Sequence, residues 1–369
     1  MKYQRMSIEK ESPEELGYSS IRYNLAESSV SDVMLKNIQL NLDDLSLCYT
    51  HHRGHPSLRE LISIEGNKIE KDDVLITVGA ASALFIIATT LLTASDHLIV
   101  IRPNYATNIE TPKTIGCKIT YIDLSFENNW KSDISLIENS IQPNTKYISV
   151  THPHNPTGAV LEEHELCLLA EMAERYKIHL LVDETYRDLN FKKLLPYAAS
   201  LNKYVISVSS VSKAYGLPGL RLGWLITKDK DLMEQFLAAK EQIFISNSVL
   251  DEEVALQFLL KRQEHFTTMR EVVQKKFLIL EQWIANETRL EWVKPSGGVV
   301  CFPHIRATLK IDTEKFYSVL MNKYATMVGP GHWFSMPDSY MRIGFGWADE
   351  EKLSEGLNNV SKAISEGVK

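Results

Sequence analysis

The feature that most constrains this chain is an alternation of short apolar runs with longer segments of helical period between Asp73 and Thr227. This pattern is typical of βαβ units around a mostly parallel sheet. The predicted strands are Val74–Val78, Leu98–Ile101, Ile119–Leu124, Tyr147–Val150, His179–Val182, Val205–Val208 and Leu222–Ile226. Only a short connection precedes the last of them, which indicates one antiparallel strand. The predicted fold class is therefore α/β, with a mostly parallel central sheet flanked by helices.

Helical period is clear in Glu162–Tyr176, where apolar side chains recur at spacings of three and four. Beyond Asp229 the pattern changes to long helical and strand-like stretches: Leu250–Asn286, Glu291–Phe302 and a terminal helix from Ala348. These features predict a smaller α+β domain. We expect a large domain over residues 41–244, and a small domain formed by residues 1–40 and 245–369.

Charge and apolar patterning exclude several classes of protein. The net charge is −7, whereas a nucleic-acid surface needs a basic face, so we expect no nucleic-acid partner. The longest apolar tract, Ala80–Leu92, is shorter than the ~20 residues that cross a bilayer, so a buried helix is expected rather than a membrane span. The N-terminal residues lack an apolar signal region, and the four cysteines lack paired spacing. These features favour a cytoplasmic protein.

A lysine follows the sixth predicted strand, within the string Ser209–Gly223, which reads SSVSKAYGLPGLRLG. Sites in α/β folds lie at such strand ends. A lysine forms a Schiff base only when its amine is neutral. Burial or a nearby cation lowers the pKa of a lysine and so favours the neutral amine, and Arg221 is a candidate for that cation. A lone Ser-x-Ser-Lys would more simply be a surface turn. The full string makes Lys213 a candidate nucleophile.

This string resembles the cofactor-lysine signature of the class I/II aminotransferases, which are pyridoxal-phosphate enzymes of fold type I. The resemblance implies that Lys213 holds pyridoxal 5′-phosphate as a Schiff base, the internal aldimine. It also implies that this lysine moves the proton between substrate Cα and cofactor C4′. Ser210, Ser212 and Arg221 are then expected to bind the cofactor phosphate, for which the guanidinium fork is well suited.

A carboxylate and a phenol, Asp183 and Tyr186, come directly after the predicted strand His179–Val182. A carboxylate beside the ring nitrogen of a pyridine cofactor keeps that nitrogen protonated, which makes the ring an electron sink. The resemblance assigns this role to Asp183, and a hydrogen bond to the cofactor's phenolic oxygen to Tyr186. Without the resemblance, the segment would be a strand end with a solvated acidic pair. We expect Glu184 at the surface.

The turn His152–Gly158 follows another predicted strand and resembles the Asn-Pro-x-Gly turn of the same family. The resemblance places Asn155 at the phenolic oxygen and beside the substrate, with a cis peptide before Pro156. A plain β-turn is an equally good interpretation of these residues. Five histidines of the chain, two of them here, lack any metal-binding motif, and no metal site is expected: His51, His52, His55, His152 and His154.

The junction Val74–Phe85 runs from a predicted strand into an apolar helix. Such a junction presents free backbone N–H groups at the positive end of a helix dipole. The family has its phosphate cup here, which implies that Ala80, Ala81 and Ser82 are donors. Tyr105 stands where relatives stack an aromatic ring on the cofactor. An ordinary strand-to-helix turn and an ordinary core tyrosine would give the same patterns.

Two further residues are candidates because of the segments around them. Tyr49 begins a Tyr-x-x-x-x-Gly-x-x-x-Leu-Arg string, and in the family this tyrosine reaches the phosphate of the neighbouring subunit, which implies a homodimer with shared active sites. A structural loop is the alternative. Arg342 interrupts the apolar run Tyr340–Gly346, where a buried guanidinium requires an anion. The resemblance makes that anion the substrate α-carboxylate, whereas an internal ion pair is the alternative.

The predicted activity is transfer of an amino group between an L-amino acid and a 2-oxo acid. A lyase or decarboxylase of the same fold uses the same electron sink, and a non-catalytic effector-binding module is a further alternative. The chain has neither Gly-x-Gly-x-x-Gly nor a P-loop string, which argues against a nucleotide-binding enzyme. Asn24–Ser28 differs from the Gly-rich turn that helps to shape the substrate pocket in many relatives. The resemblance therefore does not identify the amino acid and the 2-oxo acid that the protein uses.

Overall fold

The computed structural model describes residues 2–368. Its helices are α1 (Ser7–Lys10), α2 (Pro13–Leu16), α3 (Pro56–Ile64), α4 (Gly79–Leu91), α5 (Thr107–Ile115), α6 (Ile134–Asn139), α7 (Glu163–Tyr176), α8 (Lys230–Phe244), α9 (Val249–Leu259), α10 (Arg262–Asn286), α11 (Thr313–Asn322) and α12 (Glu350–Gly367). Its strands are β1 (Tyr23–Asn24), β2 (Val74–Thr77), β3 (His97–Arg102), β4 (Lys118–Asp123), β5 (Thr145–Thr151), β6 (His179–Asp183), β7 (Val205–Ser210), β8 (Gly223–Thr227), β9 (Leu290–Glu291), β10 (Val300–Cys301), β11 (His304–Ile305), β12 (Thr326–Met327), β13 (Gly329–Pro330) and β14 (Met341–Gly344).

A seven-stranded sheet forms the centre of the molecule, in the order β2-β8-β7-β6-β5-β3-β4. The strands β4, β3, β5, β6 and β7 pair in parallel. By contrast, β8 pairs antiparallel with both β2 and β7. All seven predicted strands are therefore present, and both the α/β class and the single antiparallel strand are confirmed.

Helices cover both faces of this sheet. Successive residues of a strand point to opposite sides, so neighbouring residues of one strand pack into different clusters. In β3, Leu98 and Val100 pack into one hydrophobic cluster together with α4 and α8. Ile99 and Ile101 pack into a second cluster on the other face, together with α7. The sheet is thus the middle layer of an α/β/α sandwich.

Two sequence predictions about helices are confirmed. The predicted helix at Glu162 begins one residue later as α7, with Glu162 as its N-cap, whose backbone N–H donates to Glu165 Oε2 at 2.7 Å. The long apolar tract forms the packed helix α4. Within residues 2–368, no helix combines the length and the apolar character that a bilayer crossing requires.

The predicted strand Glu291–Phe302 is wrong, because only its two ends are strands, β9 and β10. The middle of the segment contains Pro295, which has no N–H to donate, and Gly298, whose φ of +74° lies in the left-handed region. This middle part is a loop that packs on the Asn-Pro turn, where Ser296 N donates to Gly158 O at 2.8 Å.

The N-terminal segment packs against C-terminal elements. Strand β1 pairs in parallel with β12, and Gly344 N donates to Leu25 O at 2.7 Å. The chain then passes the lysine loop, where Val30 N donates to Lys213 O at 3.1 Å. Residues 25–30 therefore lie between β14 and Lys213. The division into domains at residues 41 and 244 stays a prediction.

Candidate active site

A cavity of about 820 Å³ opens at the carboxyl ends of β5, β6 and β7. All of the predicted site residues line it except Ser82 and Tyr49. These residues come from distant parts of the sequence. The parallel strands bring Asn155, Asp183 and Lys213 to one edge of the central sheet, and β14 of a separate three-stranded sheet adds Arg342. Most of the predicted site residues therefore lie around one cavity.

Lys213 lies in the loop after β7, with its Nζ 3.0 Å from Ser28 Oγ, to which it donates. Desolvation lowers the pKa of Lys213 below its ordinary value of 10.5, and the nearby charge of Glu27 acts in the opposite direction. The charges of Arg342 and Arg221 lower this pKa further. A larger fraction of neutral amine is the state that nucleophilic attack on a carbonyl requires.

Asp183 ends β6 and is 5% exposed. Its Oδ1 accepts hydrogen bonds from Thr185 Oγ1 at 2.6 Å and from Thr185 N at 3.2 Å. Burial raises the pKa of Asp183, whereas the bonds from Thr185 and Asn108 and the charge of Lys213 lower it. The carboxylate is therefore held in one orientation at the edge of the sheet.

Sequence reasoning missed a hub of polar side chains behind Asp183. Asn104, 1% exposed, accepts at Oδ1 from Tyr105 N at 2.7 Å, Thr151 Oγ1 at 3.0 Å and Asn108 Nδ2 at 3.1 Å. It thereby connects the end of β5 with the start of α5. The one sequence signal was two asparagines four residues apart after a strand, which is one helical turn.

Tyr186 and Asn155 line the cavity with different hydrogen-bond partners. The Tyr186 hydroxyl donates to Ser28 O at 2.8 Å, and burial raises its pKa to about 12. Asn155 Oδ1 accepts from Arg342 Nη1 at 3.1 Å. The peptide bond before Pro156 is cis, as predicted. The contacts expected between these two side chains and the cofactor's phenolic oxygen stay predictions.

Arg342 on β14 is 4% exposed. Its Nη2 donates to Ala26 O at 2.8 Å, and its guanidinium carbon lies 5.0 Å from the centre of the Phe334 ring. Its Nε is buried without a hydrogen-bond partner. No acidic side chain of residues 2–368 forms an ion pair with it, so the internal ion pair considered as an alternative is absent there. A buried, unneutralised cation favours an anionic ligand.

The first turn of α4, predicted to bind the phosphate, borders the cavity. Gly79 begins the helix with φ +72°, and no side chain caps this helix start. The backbone N–H groups of the first turn therefore have no partner within the helix, and Ala80 and Ala81 of this turn line the cavity. A Cβ at Gly79 would lie 2.8 Å from Arg221 Nη2. Arg221 and the helix start therefore approach each other closely enough to hold one phosphate between them.

The serines near this cradle differ in their placement. Ser210 and Ser212 line the cavity, and Ser210 Oγ accepts from Ser212 N at 3.3 Å. The Ser82 hydroxyl instead donates to Gly79 O at 3.3 Å and does not reach the cavity. Tyr105 lines the cavity, and its stacking on the cofactor stays a prediction. Tyr49 lies outside it and is 80% exposed.

The expectation that Glu184 lies at the surface is wrong. Its side chain is completely buried and accepts from Ala198 N at 3.1 Å. Burial raises its pKa to about 7. Neighbouring residues in an extended segment point to opposite sides, so Glu184 faces away from the cavity that Asp183 lines. It anchors the backbone behind the site rather than facing solvent.

Two histidines of the Asn-Pro turn are structural in this chain. His152 Nδ1 accepts from Leu161 N at 3.1 Å, and His154 Nδ1 lies 2.7 Å from Thr157 Oγ1. Burial lowers the pKa of each imidazole to about 4. Residues 2–368 contain no group of three His, Cys, Asp or Glu side chains placed to hold a metal ion.

The groups around the cavity fit pyridoxal 5′-phosphate. Asp183 suits a protonated ring nitrogen, the start of α4 and Arg221 suit a phosphate, and Lys213 suits an aldehyde. The model of the family described as aminotransferase class I and II matches residues 15–360. The chain belongs to this family. Pyridoxal 5′-phosphate is its cofactor, and amino transfer is its general chemistry.

Individual relatives agree with this assignment at modest identity. The chain is 29% identical to an aspartate aminotransferase of Pyrococcus horikoshii over 334 residues, which cover 88% of this chain and 84% of the relative. It is 29% identical to capreomycidine synthase of Streptomyces vinaceus over 295 residues, or 79% and 74% of the two chains. A solved pyridoxal-phosphate-dependent aminotransferase from Streptococcus suis is 28% identical, with a TM-score of 0.91 and complete coverage of both chains.

Proposed function

We propose that this enzyme transfers an amino group between an L-amino acid and a 2-oxo acid, with Lys213 covalently attached to the cofactor. The observation that carries the proposal is the buried Arg342, whose Nε has no partner, in the same cavity as Lys213 and Asp183. The substrate α-carboxylate supplies the missing anion. A guanidinium binds a carboxylate through two parallel hydrogen bonds, so it fixes the orientation of the substrate as well as its position.

The substrate is positioned by residues of two segments. Arg342 is already held by Asn155 and by the carbonyl of Ala26, so it receives the carboxylate in a fixed orientation. Such preorganisation avoids an entropic cost when the substrate binds. With the carboxylate fixed at Arg342, the substrate Cα faces Lys213.

Proton movement at Cα is the task of Lys213. When bound, the cofactor supplies an electron sink for the negative charge that develops at Cα. Once the substrate amino group has displaced Lys213 from its bond to the cofactor, the freed neutral amine of Lys213 would accept the proton from Cα and deliver it to C4′. Its lowered pKa suits this role, because an effective general base has a pKa near the working pH. Asp183 keeps the ring nitrogen protonated throughout.

Ser210, Ser212, Arg221 and the first turn of α4 hold the phosphate in this proposal. The hydroxyls and backbone N–H groups satisfy the phosphate oxygens, and the guanidinium supplies the counter-charge. We also propose that the enzyme is a homodimer in which the exposed Tyr49 reaches the phosphate of the partner subunit. An aromatic side chain that is 80% exposed is favourable when a partner covers it.

The decisive experiment follows the absorbance of the purified holoenzyme during addition of single L-amino acids. Transamination predicts loss of the aldehyde form of the cofactor, one equivalent of 2-oxo acid, and recovery when a second oxo acid is added. Stoichiometric release of ammonia or CO₂ without that recovery would establish the lyase or decarboxylase alternative instead.

The attachment site is tested separately by borohydride reduction and peptide mass spectrometry. The proposal predicts a cofactor adduct at Lys213 that is absent from Lys213→Ala. The matched control is Lys203→Ala, which removes an exposed lysine and leaves the adduct in place. An adduct of unchanged stoichiometry in Lys213→Ala would overturn the assignment.

A further inference from the structure

The N-terminal segment gives the active-site cavity an acidic wall. Glu9, Glu14, Glu27 and Asp32 all line the cavity. Glu9 receives a 3.5 Å hydrogen bond from Tyr105, and Asp32 receives one of 2.8 Å from the indole of Trp347. In the part of the chain that the structure describes, none of the four carboxylates forms an ion pair with a basic side chain.

Glu27 is the member of this wall whose charge acts most strongly on the reacting lysine. It directly precedes Ser28, which accepts the hydrogen bond from Lys213. Its Oε1 accepts from the Tyr18 hydroxyl at 3.2 Å. Burial raises the pKa of Glu27 above its ordinary value of 4.5, and the charges of Lys213 and Arg342 oppose that rise. A carboxylate in such surroundings gains from an additional cation nearby.

The basic residues of the cavity are already assigned. Lys213, Arg221 and Arg342 are the lysine and arginine residues that line it within residues 2–368. In the proposed function, Lys213 holds the cofactor, Arg221 the phosphate and Arg342 the substrate α-carboxylate. The described chain therefore leaves no cation for a second substrate carboxylate, whereas several carboxylates remain without a counter-charge.

An aromatic surface lies beside these carboxylates. The rings of Tyr18 and Trp347 are stacked at 19°, with their centres 6.2 Å apart, and both residues line the cavity. The hydroxyl of Tyr18 is bonded to Glu27, and the indole of Trp347 to Asp32. Aromatic faces flanked by carboxylates suit an alkyl stem that ends in a cation, above all a guanidinium.

We propose that the amino donor of this enzyme is an amino acid whose side chain ends in a cation, either guanidinium or ammonium. The proposal rests on the proposed function and names its substrate class. The two ends of the ligand have separate sites, since the unpartnered Nε of the buried Arg342 takes the α-carboxylate and the acidic wall takes the distal cation. Both charges are then neutralised within one cavity.

The first test compares amino donors with the wild-type holoenzyme. L-Arginine and L-ornithine are compared with L-norleucine, which has a similar stem without the charge, and with L-aspartate. We expect kcat/KM for the better basic donor to exceed that for norleucine by about tenfold or more, as one charged hydrogen bond provides. Aspartate should be the poorest donor. If norleucine or aspartate equals the basic donors, the proposal is wrong.

A binding measurement keeps this result separate from the reaction itself. If no amino acid converts the cofactor, the proposed function fails, and calorimetry then compares 2-methylornithine with 2-methylnorleucine, neither of which has a removable α-proton. Tighter binding of the cationic analogue by about tenfold or more supports the acidic wall. Equal binding overturns it.

The second test removes single charges. Glu27→Gln keeps the shape of the side chain, so the arginine-to-norleucine ratio of kcat/KM should fall about tenfold. Glu14→Gln should lower it less, because Glu14 is exposed. The ratio cancels any effect of Glu27 on the lysine chemistry that both donors share.

The matched control is Glu15→Gln, on the same helix α2 as Glu14. The Glu15 carboxylate pairs with Arg5 at 3.1 Å and does not line the cavity. It should keep the wild-type ratio. An unchanged ratio in both Glu27→Gln and Glu14→Gln contradicts the proposal.

Discussion

Arg342 donates from Nη1 to Oδ1 of Asn155 at 3.1 Å, although 187 residues separate them in the sequence. The bond joins strand β14 to the cis-proline turn after β5. It turns the amide oxygen of Asn155 toward the guanidinium. The side chain proposed to bind the substrate and one proposed to bind the cofactor are therefore oriented by each other.

Arg342→Lys should lower kcat/KM for the amino donor by about 100-fold and weaken cofactor binding much less, because Asn155 is only one of several residues proposed to hold the cofactor. A lysine ammonium cannot contact Asn155 and the Ala26 carbonyl while also offering a planar fork to a carboxylate. Stopped-flow measurement of the amino-donor half-reaction provides the rate, and a fluorescence titration provides cofactor affinity. Arg306→Lys, at an exposed ion pair with Glu291, is the control and should react like wild type. Equal kcat/KM values for the two variants would contradict the role of Arg342.

Asp183→Asn should lower the rate of proton removal from Cα by about 100-fold, the equivalent of one strong charged hydrogen bond. The amide keeps the size of the side chain and its bonds from Thr185 but cannot hold the ring nitrogen protonated. The rate is measured with donor deuterated at Cα, since a larger isotope effect would show that proton removal has become slower than other steps. A variant rate within threefold of wild type would remove Asp183 from the mechanism.

Gly79→Ala should weaken cofactor binding by about tenfold or more. The added Cβ would lie 2.8 Å from Arg221 Nη2, and the φ of +72° is one that alanine rarely adopts. Arg221 must then move out of the phosphate cradle. Gly219→Ala is the matched control, because no atom lies within 4 Å of its added Cβ. Equilibrium dialysis against pyridoxal 5′-phosphate measures both variants, and equal affinities would show that the cradle lies elsewhere.

The buried histidines should make the folded enzyme sensitive to acid. Burial lowers the pKa of His154 from its ordinary 6.5 to about 4, so below pH 6.5 the unfolded chain binds a proton that the folded chain does not. The stability that this group contributes is therefore lost as pH falls from 6.5 to 4, with a slope of up to about 1.4 kcal/mol per pH unit. His152 acts in the same direction.

Glu184 acts in the opposite direction, because its pKa is raised to about 7 and its neutral form is favoured in the fold. The measurement is thus the difference in slope between wild type and His154→Asn, taken from urea unfolding at pH 4, 5, 6 and 7. The variant should lose less stability over this range. His164→Asn, at an exposed position on α7, should keep the wild-type slope. A wild-type slope in His154→Asn would show that this histidine is not buried in its neutral form.

Most strands of the central sheet were predictable because they are buried on both faces and are therefore rich in apolar residues, whereas the edge strand β4 is only partly buried. The β7–β8 connection holds Lys213, and its string is long enough to be specific. The strand predicted over Glu291–Phe302 failed because its apolar ends concealed a proline and two glycines between them. Local propensity at Lys294–Gly298 outweighed the apolar pattern.

Other features of the site depend on contacts that no local pattern encodes. The burial of Glu184 follows from the backbone direction after β6, and the hub at Asn104 follows from the meeting of β5 with α5. The acidic wall requires the N-terminal segment to cross the lysine loop, which the hydrogen bond from Val30 N to Lys213 O shows. The sequence predicted that this segment belongs to the small domain, and the resemblance predicted that Asn24–Ser28 helps to shape the substrate pocket. Neither predicted the contact between Val30 and Lys213.

Shared active sites predict that two inactive variants restore each other's activity. If Tyr49 serves the partner's site, a mixed dimer of Lys213→Ala and Tyr49→Ala subunits contains one intact site, in the subunit that keeps Lys213 and receives Tyr49 from its partner. Random mixing of equal amounts after reversible dissociation should give about a quarter of wild-type activity, since half of the dimers are mixed and each has one working site of two. The assay uses a fixed amino donor at saturation.

Tyr49→Phe should retain the aromatic surface but lose the proposed hydrogen bond from the hydroxyl to the phosphate. This variant therefore separates the effect of the ring from that of the hydroxyl. Mixtures no more active than the average of the separate variants would show that Tyr49 does not complete a neighbouring site.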